Sequence, residues 1–272
     1  MLQAAVKASA VLTRPQGKNE ALASRLTAAG LLTLALPALR IKPLERSAEP
    51  LPLPDDYDLM IFVSSNAARL YIDALVEQRG PGCWPAATRA AAVGAPSARF
   101  LAESGHIPAH HILHPDPNND TQDSEGLWRL LQPMLPSFKR VLIVRGLSGR
   151  EWLGECFCNA GIQVDRLALY DRQAAIWDAR QGGQLTAVLA SSAPCIFLLT
   201  SGEGVDAVHA NVVRLGLQDA WRGSRFVAIH ERVASRLQSV LGASGKVEPP
   251  MVKLCQPDDD AIFQAIVQTA SL

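Results

Sequence analysis

The chain contains one α/β unit twice, and the order of its segments is permuted between the two copies. Three pairs of segments match: 12–39 with 143–170, 61–72 with 196–208, and 89–105 with 225–242. In the first pair, which needs no gap, Arg14 aligns with Arg145 and Glu20 with Glu151. Two copies of one unit predict two similar lobes with a cleft between them, and such clefts bind small molecules.

Short apolar segments alternate with amphipathic segments along the chain. Six of the apolar segments are predicted to be parallel strands buried on both faces: Ala10–Thr13, Leu59–Val63, Ala90–Val93, Val141–Val144, Cys195–Leu199 and Phe226–Ile229. A helical pattern follows each strand, and Gly30 and Gly161 are placed to end two of the helices in the left-handed conformation. This alternation predicts an α/β fold of two similar, doubly wound lobes with flavodoxin-like or Rossmann-like parallel sheets.

Two segments break the alternation and predict a linker. Residues 37–45 and 164–172 alternate apolar and polar side chains, as exposed ribbon strands do. Because both lie at the ends of matched segments, we predict that strands 38–44 and 165–173 join the lobes. Lobe 1 then comprises residues 1–37 and 174–272, and lobe 2 comprises residues 45–164.

The composition argues against several classes of protein. The 26 Lys and Arg residues equal the 26 Asp and Glu residues, so no basic field predicts nucleic-acid binding. No apolar segment reaches membrane-spanning length, and five cysteines without framework spacing are typical of a reducing compartment. We expect a cytoplasmic monomer that binds a small molecule, and neither nucleic acid nor a membrane.

Small polar residues follow the predicted strands, at the edge where open α/β sheets bind ligands. Hydroxyl residues and glycines at helix starts leave backbone N–H groups available at the positive end of the helix dipole, which predicts an anionic ligand. Simple helix capping is the alternative for each of them. The candidates are Ser64, Ser65, Asn66, Gly94, Ser97, Gly146, Thr200 and Ser201.

Three arginines and one tyrosine are further candidates. Arg14 and Arg145 occupy matching positions near strand ends, and Arg150 follows the second of them. An arginine there either binds a ligand carboxylate through two parallel hydrogen bonds or forms a structural salt bridge. Tyr170 lies in a predicted linker strand, where its phenol either takes part in catalysis or packs.

The other motifs predict no further chemistry. Four histidines lie between residues 106 and 114, but prolines bracket that segment and no metal site is predicted. Cys156 and Cys158 are two positions apart and face different directions on a helix. The sequence has no P-loop, dinucleotide fingerprint or nucleophile elbow, which argues against a nucleotide-dependent enzyme.

Several motifs, in their order along the chain, resemble those of the uroporphyrinogen-III synthase family. They are L-T-R-P (12–15), I-F-V-S-S-N-A (61–67), V-G-x-x-S-A (93–98), R-G-x-x-G-R-E-x-L (145–153), A-G-x-x-V-x-x-L-x-L-Y (160–170) and L-T-S (199–201). Each motif is weakly specific alone, whereas the ordered set spans nearly the whole chain.

The resemblance implies a two-lobed cyclising lyase that needs no cofactor. Its substrate would be the linear tetrapyrrole hydroxymethylbilane, which closes to uroporphyrinogen III with loss of water and inversion of its last ring. The many carboxylates of that substrate suit backbone N–H groups and arginines. Tyr170 matches the family's key tyrosine. The positions that match substrate-facing residues are Ser64, Ser65, Ser97, Thr200 and Ser201.

One departure from the family pattern lies in the second copy of the G-x-x-[ST]-A motif. It reads His230-Glu231-Arg232-Val233-Ala234 here and has no hydroxyl. Either His230 or Arg232 replaces the hydroxyl as a cationic contact, or the site is weaker. The departure favours an alternative function, a two-lobed binding or regulatory protein for a small polyanionic ligand. Tyr170 and the Ser64-Ser65 pair favour the enzyme.

Overall fold

Each half of the repeat forms an α/β unit in the computed structural model, which describes residues 8–45, 50–116, 121–242 and 250–272. Unit 1 comprises Met1–Arg40 and Gln173–Leu272, and unit 2 comprises Ile41–Arg172. The strands are β1 Ser9–Leu12, β2 Leu32–Ala35, β3 Leu39–Pro43, β4 Leu59–Phe62, β5 Arg89–Ala92, β6 Ile112–Leu113, β7 Arg140–Gly146, β8 Gln163–Ala174, β9 Cys195–Leu199, β10 Arg225–Ala228 and β11 Val252–Leu254.

Most helices follow a strand of their own unit. The helices are α1 Glu20–Ala28, α2 Ser65–Arg79, α3 Ala95–Glu103, α4 Ser124–Leu131, α5 Trp152–Asn159, α6 Ala179–Leu189, α7 Gly202–Arg214, α8 Gln218–Arg222, α9 Glu231–Leu241 and α10 Asp259–Ala270. Within the part of the chain that the structure describes, no helix has the length and apolar character needed to cross a membrane.

Unit 1 is built on a parallel sheet with the strand order β2-β1-β9-β10-β11. Counted along the chain, this is the flavodoxin-like order 2-1-3-4-5. All four residues of β1 are buried because helices cover both faces of the sheet. Leu12 packs with residues of α1 and α10 on one face, and Val11 packs with residues of α7 and α9 on the other.

Unit 2 has the strand order β6-β5-β4-β7-β8, all parallel, with β3 added beside β8. The Ala175 N–H donates to the Ala38 carbonyl, and the Leu44 N–H donates to the Leu169 carbonyl. Residue numbers therefore fall along β8 as they rise along β3, which makes the two strands antiparallel. On the central strand β4, Phe62 packs towards α2 and Ile61 towards α5.

The two sheets correspond strand for strand, as the sequence repeat predicts. Strands β2, β1, β9, β10 and β11 of unit 1 match β8, β7, β4, β5 and β6 of unit 2 in the same spatial order. The register matches as well: Ser9 lies opposite Leu32, and the aligned Arg140 lies opposite Gln163. The predicted doubly wound α/β fold in two lobes is confirmed.

The strands of the linker region differ from their predicted extents. The segment predicted over 37–45 is the shorter strand β3, since Pro37 lacks an N–H and its carbonyl accepts from the Trp177 indole instead. The segment predicted over 164–172 is the longer strand β8, because its start pairs with β7 and its end lies beside β3. Strands β2, β6 and β11 were not predicted, since all are short and partly exposed.

The two predicted helix-ending glycines are confirmed. Gly30 has φ +87° and Gly161 has φ +78°, the left-handed region that glycine tolerates best. The closing hydrogen bonds also match: Leu31 N–H donates to the Leu26 carbonyl, and Ile162 N–H donates to the Phe157 carbonyl.

The buried phenol of Tyr57, which precedes β4, is bonded to β8 and makes the stability of unit 2 depend on pH in the alkaline range. The Tyr57 hydroxyl donates to Asp165 at 3.0 Å, and Asp165 also accepts from Arg140. Burial first, and then the Asp165 hydrogen bond and charge, raise the pKa of Tyr57 to about 12. The fold favours the protonated phenol. The contribution of Tyr57 to the free energy of unfolding is therefore complete below about pH 10 and is lost as the pH rises towards 12.

We predict that Asp165→Asn lowers the pKa of Tyr57 but leaves it above the ordinary value of about 10. The substitution removes a charge, whereas burial, the largest cause, remains. Alkaline titration by near-ultraviolet absorbance, with Tyr57→Phe as the reference for assignment, measures the change. An unchanged midpoint would show that Asp165 does not act on the phenol.

Candidate functional site

Most of the candidate residues lie where the chain order of strands reverses in each sheet, the position at which doubly wound folds bind ligands, whereas Gly94 and Ser97 follow β5 and His230 follows β10. In unit 2 the reversal falls between β4 and β7, and Ser64 and Gly146 lie at the carboxyl ends of these strands. In unit 1 it falls between β1 and β9, which are followed by Arg14 and Ser201. Each unit therefore brings its own candidates to its switch point.

Tyr170 is held in the core of unit 2 with its hydroxyl against a helix start. Its side chain belongs to the core cluster, and the residue is only 5% exposed. The phenolic oxygen lies 2.9 Å from Ser64 Oγ. Its main-chain carbonyl accepts from the Leu147 N–H at 2.7 Å. The phenol is thus fixed at both its ring and its backbone.

Gly146 provides the space in which the Tyr170 ring lies. The register between β7 and β8 shifts between Arg145 and Gly146, so that Gly146 lies opposite Tyr170. A Cβ atom at Gly146 would lie 2.9 Å from Cε2 and 3.0 Å from Cζ of the ring. Any other residue at this position would displace the ring, which gives this glycine a steric role beside the phenol.

Ser64, Ser65 and Asn66 form the start of α2. Ser64 is the N-cap, and its Oγ accepts from the Ala67 N–H at 3.1 Å, so the capping alternative applies to it. The N–H groups of Ser65 and Asn66 have no partner within the helix, and they lie at the positive end of the helix dipole. This helix start can therefore donate hydrogen bonds to an anionic group.

The start of α3 is less available to a ligand. Gly94 is its N-cap, but the first helical N–H, that of Ala95, already donates to Gln122 Oε1 at 2.8 Å. Pro96 has no N–H, and Ser97 is only 5% exposed. A ligand at Gly94 and Ser97 would have to displace the Gln122 side chain.

The two candidate arginines at the end of β7 and after it, Arg145 and Arg150, are paired with carboxylates. Arg145, whose side chain is 9% exposed, contacts Glu151, which also accepts from Arg166 at 2.9 Å. Burial would raise the pKa of Glu151, but the hydrogen bonds from the two arginines outweigh it and lower that pKa. The exposed Arg150 pairs with Glu125. The salt-bridge alternative therefore describes both arginines as they stand.

The matching edge of unit 1 has the same cap but no phenol. Thr200 precedes Ser201, whose Oγ accepts from the Gly204 N–H at 3.0 Å at the start of α7. Ser201 (φ −159°, ψ 157°) has nearly the backbone conformation of Ser64 (φ −159°, ψ 160°). In the gapless alignment, the position of Tyr170 corresponds to Leu39.

Arg14 combines an ion pair with unused donors. Its Nη1 donates to Asp259 at 2.6 Å, and its side chain is 14% exposed. Its Nε and Nη2 are buried and have no hydrogen-bond partner among the described residues. Buried donors are normally satisfied, so this guanidinium is suited to a further acceptor, whether a buried water or a ligand oxygen.

His230 caps α9 through its ring nitrogen Nδ1. Its Nδ1 accepts from the Arg232 N–H at 3.0 Å, which requires that nitrogen to be unprotonated. Val233 is as buried as Ser97, the residue it matches, with 6% and 5% exposure. The hydroxyl missing from this motif would therefore have been an interior group, and its loss leaves the helix start intact.

Three polar residues that shape these edges were missed from the sequence. Glu151 and Asp259 pair with Arg145 and Arg14, and Gln122 covers the start of α3. The repeat carried a signal for Glu151, since it aligns with Glu20. Asp259 and Gln122 lie far from their partners along the chain, so only the fold brings them together.

A comparison with protein families identifies the chain. The sequence model described as uroporphyrinogen-III synthase HemD matches residues 20–251, most of the chain. The chain belongs to the uroporphyrinogen-III synthase family. This confirms the resemblance seen in the motifs and makes the chain a cyclising lyase of tetrapyrrole biosynthesis, so the non-catalytic alternative is not favoured.

Curated relatives match over almost their full length. The uroporphyrinogen-III synthase of Salmonella typhimurium is 27% identical, covering 95% of this chain and 99% of that protein. The uroporphyrinogen-III synthase of Escherichia coli is 25% identical with the same coverage.

Solved structures of uroporphyrinogen-III synthases share the fold. The Helicobacter pylori protein gives a TM-score of 0.57 at 15% identity, covering 96% of this chain and 99% of that one. A mutant of the Thermus thermophilus protein gives 0.52 at 18% identity, covering 97% and 99%. At these identities the likeness concerns the fold alone.

Proposed function

We propose that this protein cyclises hydroxymethylbilane to uroporphyrinogen III, with loss of water and inversion of the terminal ring. Membership of the family carries the reaction. The hydrogen bond between Tyr170 and Ser64 at the switch point of unit 2 supports the location of its chemistry.

Tyr170 is proposed as the catalytic residue. The C–O bond of the terminal hydroxymethyl group breaks with both electrons on oxygen, and the phenolic proton passes to that oxygen to give water. The substrate is left as an azafulvenium cation beside the phenolate. The proton lost from carbon when the macrocycle closes restores the phenol, so the protein ends unchanged and no cofactor is proposed.

The remaining candidates are proposed to hold the substrate carboxylates. The strongest donors are at the helix starts: Ser65 and Asn66 in the first turn of α2, and Thr200 and Ser201 immediately before α7. His230 can donate through Nε2, because its Nδ1 accepts from the Arg232 N–H. The other proposed contacts are Arg14, Ser64, Gly94, Ser97, Arg145, Gly146 and Arg150. Holding the last ring away from direct attack is the protein's main task, and orientation can contribute several kcal/mol.

An isomer assay tests the reaction. Hydroxymethylbilane is supplied to the purified protein, the product is oxidised, and the isomers are separated. We expect an excess of the type III isomer. A product consisting only of the type I isomer, which forms without inversion, would contradict the proposal.

The ion pair of Arg14 gives a test of substrate binding in unit 1. We predict that Asp259→Asn, which leaves Arg14 without its carboxylate, lowers KM about threefold, the effect of one partly exposed charge pair. The value of kcat should stay the same, because Arg14 is proposed to bind substrate and not to assist bond breaking. Steady-state kinetics measures both constants.

Asp260→Asn is the matched control for that prediction. It removes the same charge from the first turn of the same helix, but Asp260 pairs with Arg25, and its side chain is 85% exposed. Its KM should equal the wild-type value. Equal KM changes in both variants would assign the effect to the net charge and not to Arg14.

We further propose that the protein is a cytoplasmic monomer that acts on its small-molecule substrate without nucleic acid or a membrane. Its lobes are proposed as residues 1–37 with 174–272 and residues 45–164, joined by strands 38–44 and 165–173. Light scattering coupled to size-exclusion chromatography tests the monomeric state, and the mass of a dimer would overturn it.

A further inference from the structure

The Ser64 hydroxyl can form more hydrogen bonds than helix capping requires, because capping uses only one of its acceptor sites. A serine Oγ has one proton and two acceptor sites. One acceptor site takes the Ala67 N–H at 3.1 Å, and the Tyr170 oxygen lies 2.9 Å away. Ser64 can therefore cap α2 and donate its own proton to Tyr170 at the same time.

The Tyr170 ring is buried in the core of unit 2, which limits the partners that its hydroxyl can reach. Gly146 lies against the ring face, and the backbone is held by the bond from Leu147. The phenolic proton retains only rotation about its C–O bond. When Ser64 donates to the phenolic oxygen, that proton must point away from Ser64, which leaves it available to another acceptor.

The start of α2 also favours release of the phenolic proton away from Ser64. Ser64 caps a helix of 15 residues, whose positive end stabilises negative charge within its first turn. A phenol that gives up its proton gains negative charge on the oxygen that Ser64 contacts. A hydroxyl donating to that oxygen becomes a stronger partner as the charge develops.

Unit 1 shows that the cap does not need the phenol. Ser201 caps α7 with almost the same backbone angles and a similar bond to Gly204, yet Leu39 stands at the position aligned with Tyr170. The serine–tyrosine contact is therefore an addition to a capping serine that both units share.

We propose that Ser64 is a positioning residue that acts through Tyr170: it donates to the phenolic oxygen, directs the phenolic proton to the departing hydroxyl and stabilises the phenolate. This role rests on the proposed function. It assigns the Ser64 hydroxyl to Tyr170 in place of the direct contact with a substrate carboxylate proposed above.

Ser64→Ala, Ser64→Thr and a double variant with Tyr170→Phe test this role. We expect Ser64→Ala to lower kcat about tenfold, the effect of one hydrogen bond to a developing charge, with little change in KM. Ser64→Thr, which keeps the hydroxyl, should restore kcat. In the Tyr170→Phe background, Ser64→Ala should cause no further loss.

Asp178→Ala controls for the loss of a cap. Asp178 caps α6 through the Gln181 N–H at 2.8 Å, and α6 contains none of the candidate residues. It should lose about as much stability as Ser64→Ala, on the order of 1 kcal/mol, and keep wild-type kcat.

A spectroscopic readout separates the hydrogen bond from the reaction. The chain has three tyrosines, so labelling with [Cζ-13C]tyrosine gives three resonances. Ser64→Ala should shift the Tyr170 signal without substrate and leave the other two, whose hydroxyls contact Asp165 and the Pro52 carbonyl, in place.

Three results would overturn the role: a raised KM with wild-type kcat, an unshifted Tyr170 signal, or a further loss in the Tyr170→Phe background. A wild-type protein that forms no type III isomer would overturn the proposed function and this role with it. The carbon signal would still report whether the Ser64–Tyr170 bond exists.

Discussion

Tyr170→Phe is expected to lower kcat at least about tenfold, because it removes the proton donor proposed for the departing hydroxyl. The substitution keeps the ring, so the gap at Gly146 and the packing in the core of unit 2 are preserved. Ser64 keeps its bond from Ala67, so α2 stays capped. Turnover to the type III isomer measures the effect, and thermal unfolding shows that the fold is intact.

Tyr71→Phe is the matched control for this variant. Tyr71 is also a buried tyrosine of unit 2, and its hydroxyl donates to the Pro52 carbonyl at 2.8 Å. Its loss should reduce stability by about 1 kcal/mol, the usual value of one hydrogen bond, and leave kcat unchanged. Wild-type turnover by Tyr170→Phe would remove Tyr170 from the mechanism.

Gly126→Ala is expected to reduce the free energy of unfolding by about 3 kcal/mol, at the high end for overpacked sites. Gly126 lies in the first turn of α4, and its N–H donates to Asp123 Oδ1 at 2.8 Å. A Cβ atom there would lie 2.0 Å from the main-chain oxygen of Thr121. Because this neighbour is backbone, the start of α4 must move, and with it the Glu125–Arg150 pair.

Gly183→Ala provides the opposite expectation at another helical glycine. Gly183 lies in α6, is exposed, and has no atom within 4 Å of the position a Cβ would occupy. Alanine should stabilise the helix by about 0.5–1 kcal/mol. Denaturant unfolding compares the two variants, and equal midpoints for Gly126→Ala and wild type would show that the start of α4 adapts without cost.

Because of the repeat, the buried strands and two of the helix ends could be predicted from the sequence. Strands buried on both faces are continuous apolar segments, and Gly30 and Gly161 mark equivalent helix ends, so both copies could be aligned without a structure. The dual pairing of β8 could not be predicted. Its alternation indicates an exposed strand but not which neighbours it joins.

The candidate site was less predictable than the fold. The helix-start residues follow from chain order, since the carboxyl ends of parallel strands share one edge. Whether a donor is still available depends on residues far along the chain. Gln122 covers α3, and carboxylates pair with Arg14, Arg145 and Arg150.

By itself the sequence determined the repeated α/β unit, the positions of its buried strands and the serine at the start of α2, because apolar periodicity and capping chemistry are local. Only the tertiary structure decided that Tyr170 meets Ser64, 106 positions away along the chain. That contact depends on the register of β8 against β7 and on the space left by Gly146, and both are properties of packing between segments that the chain order does not encode.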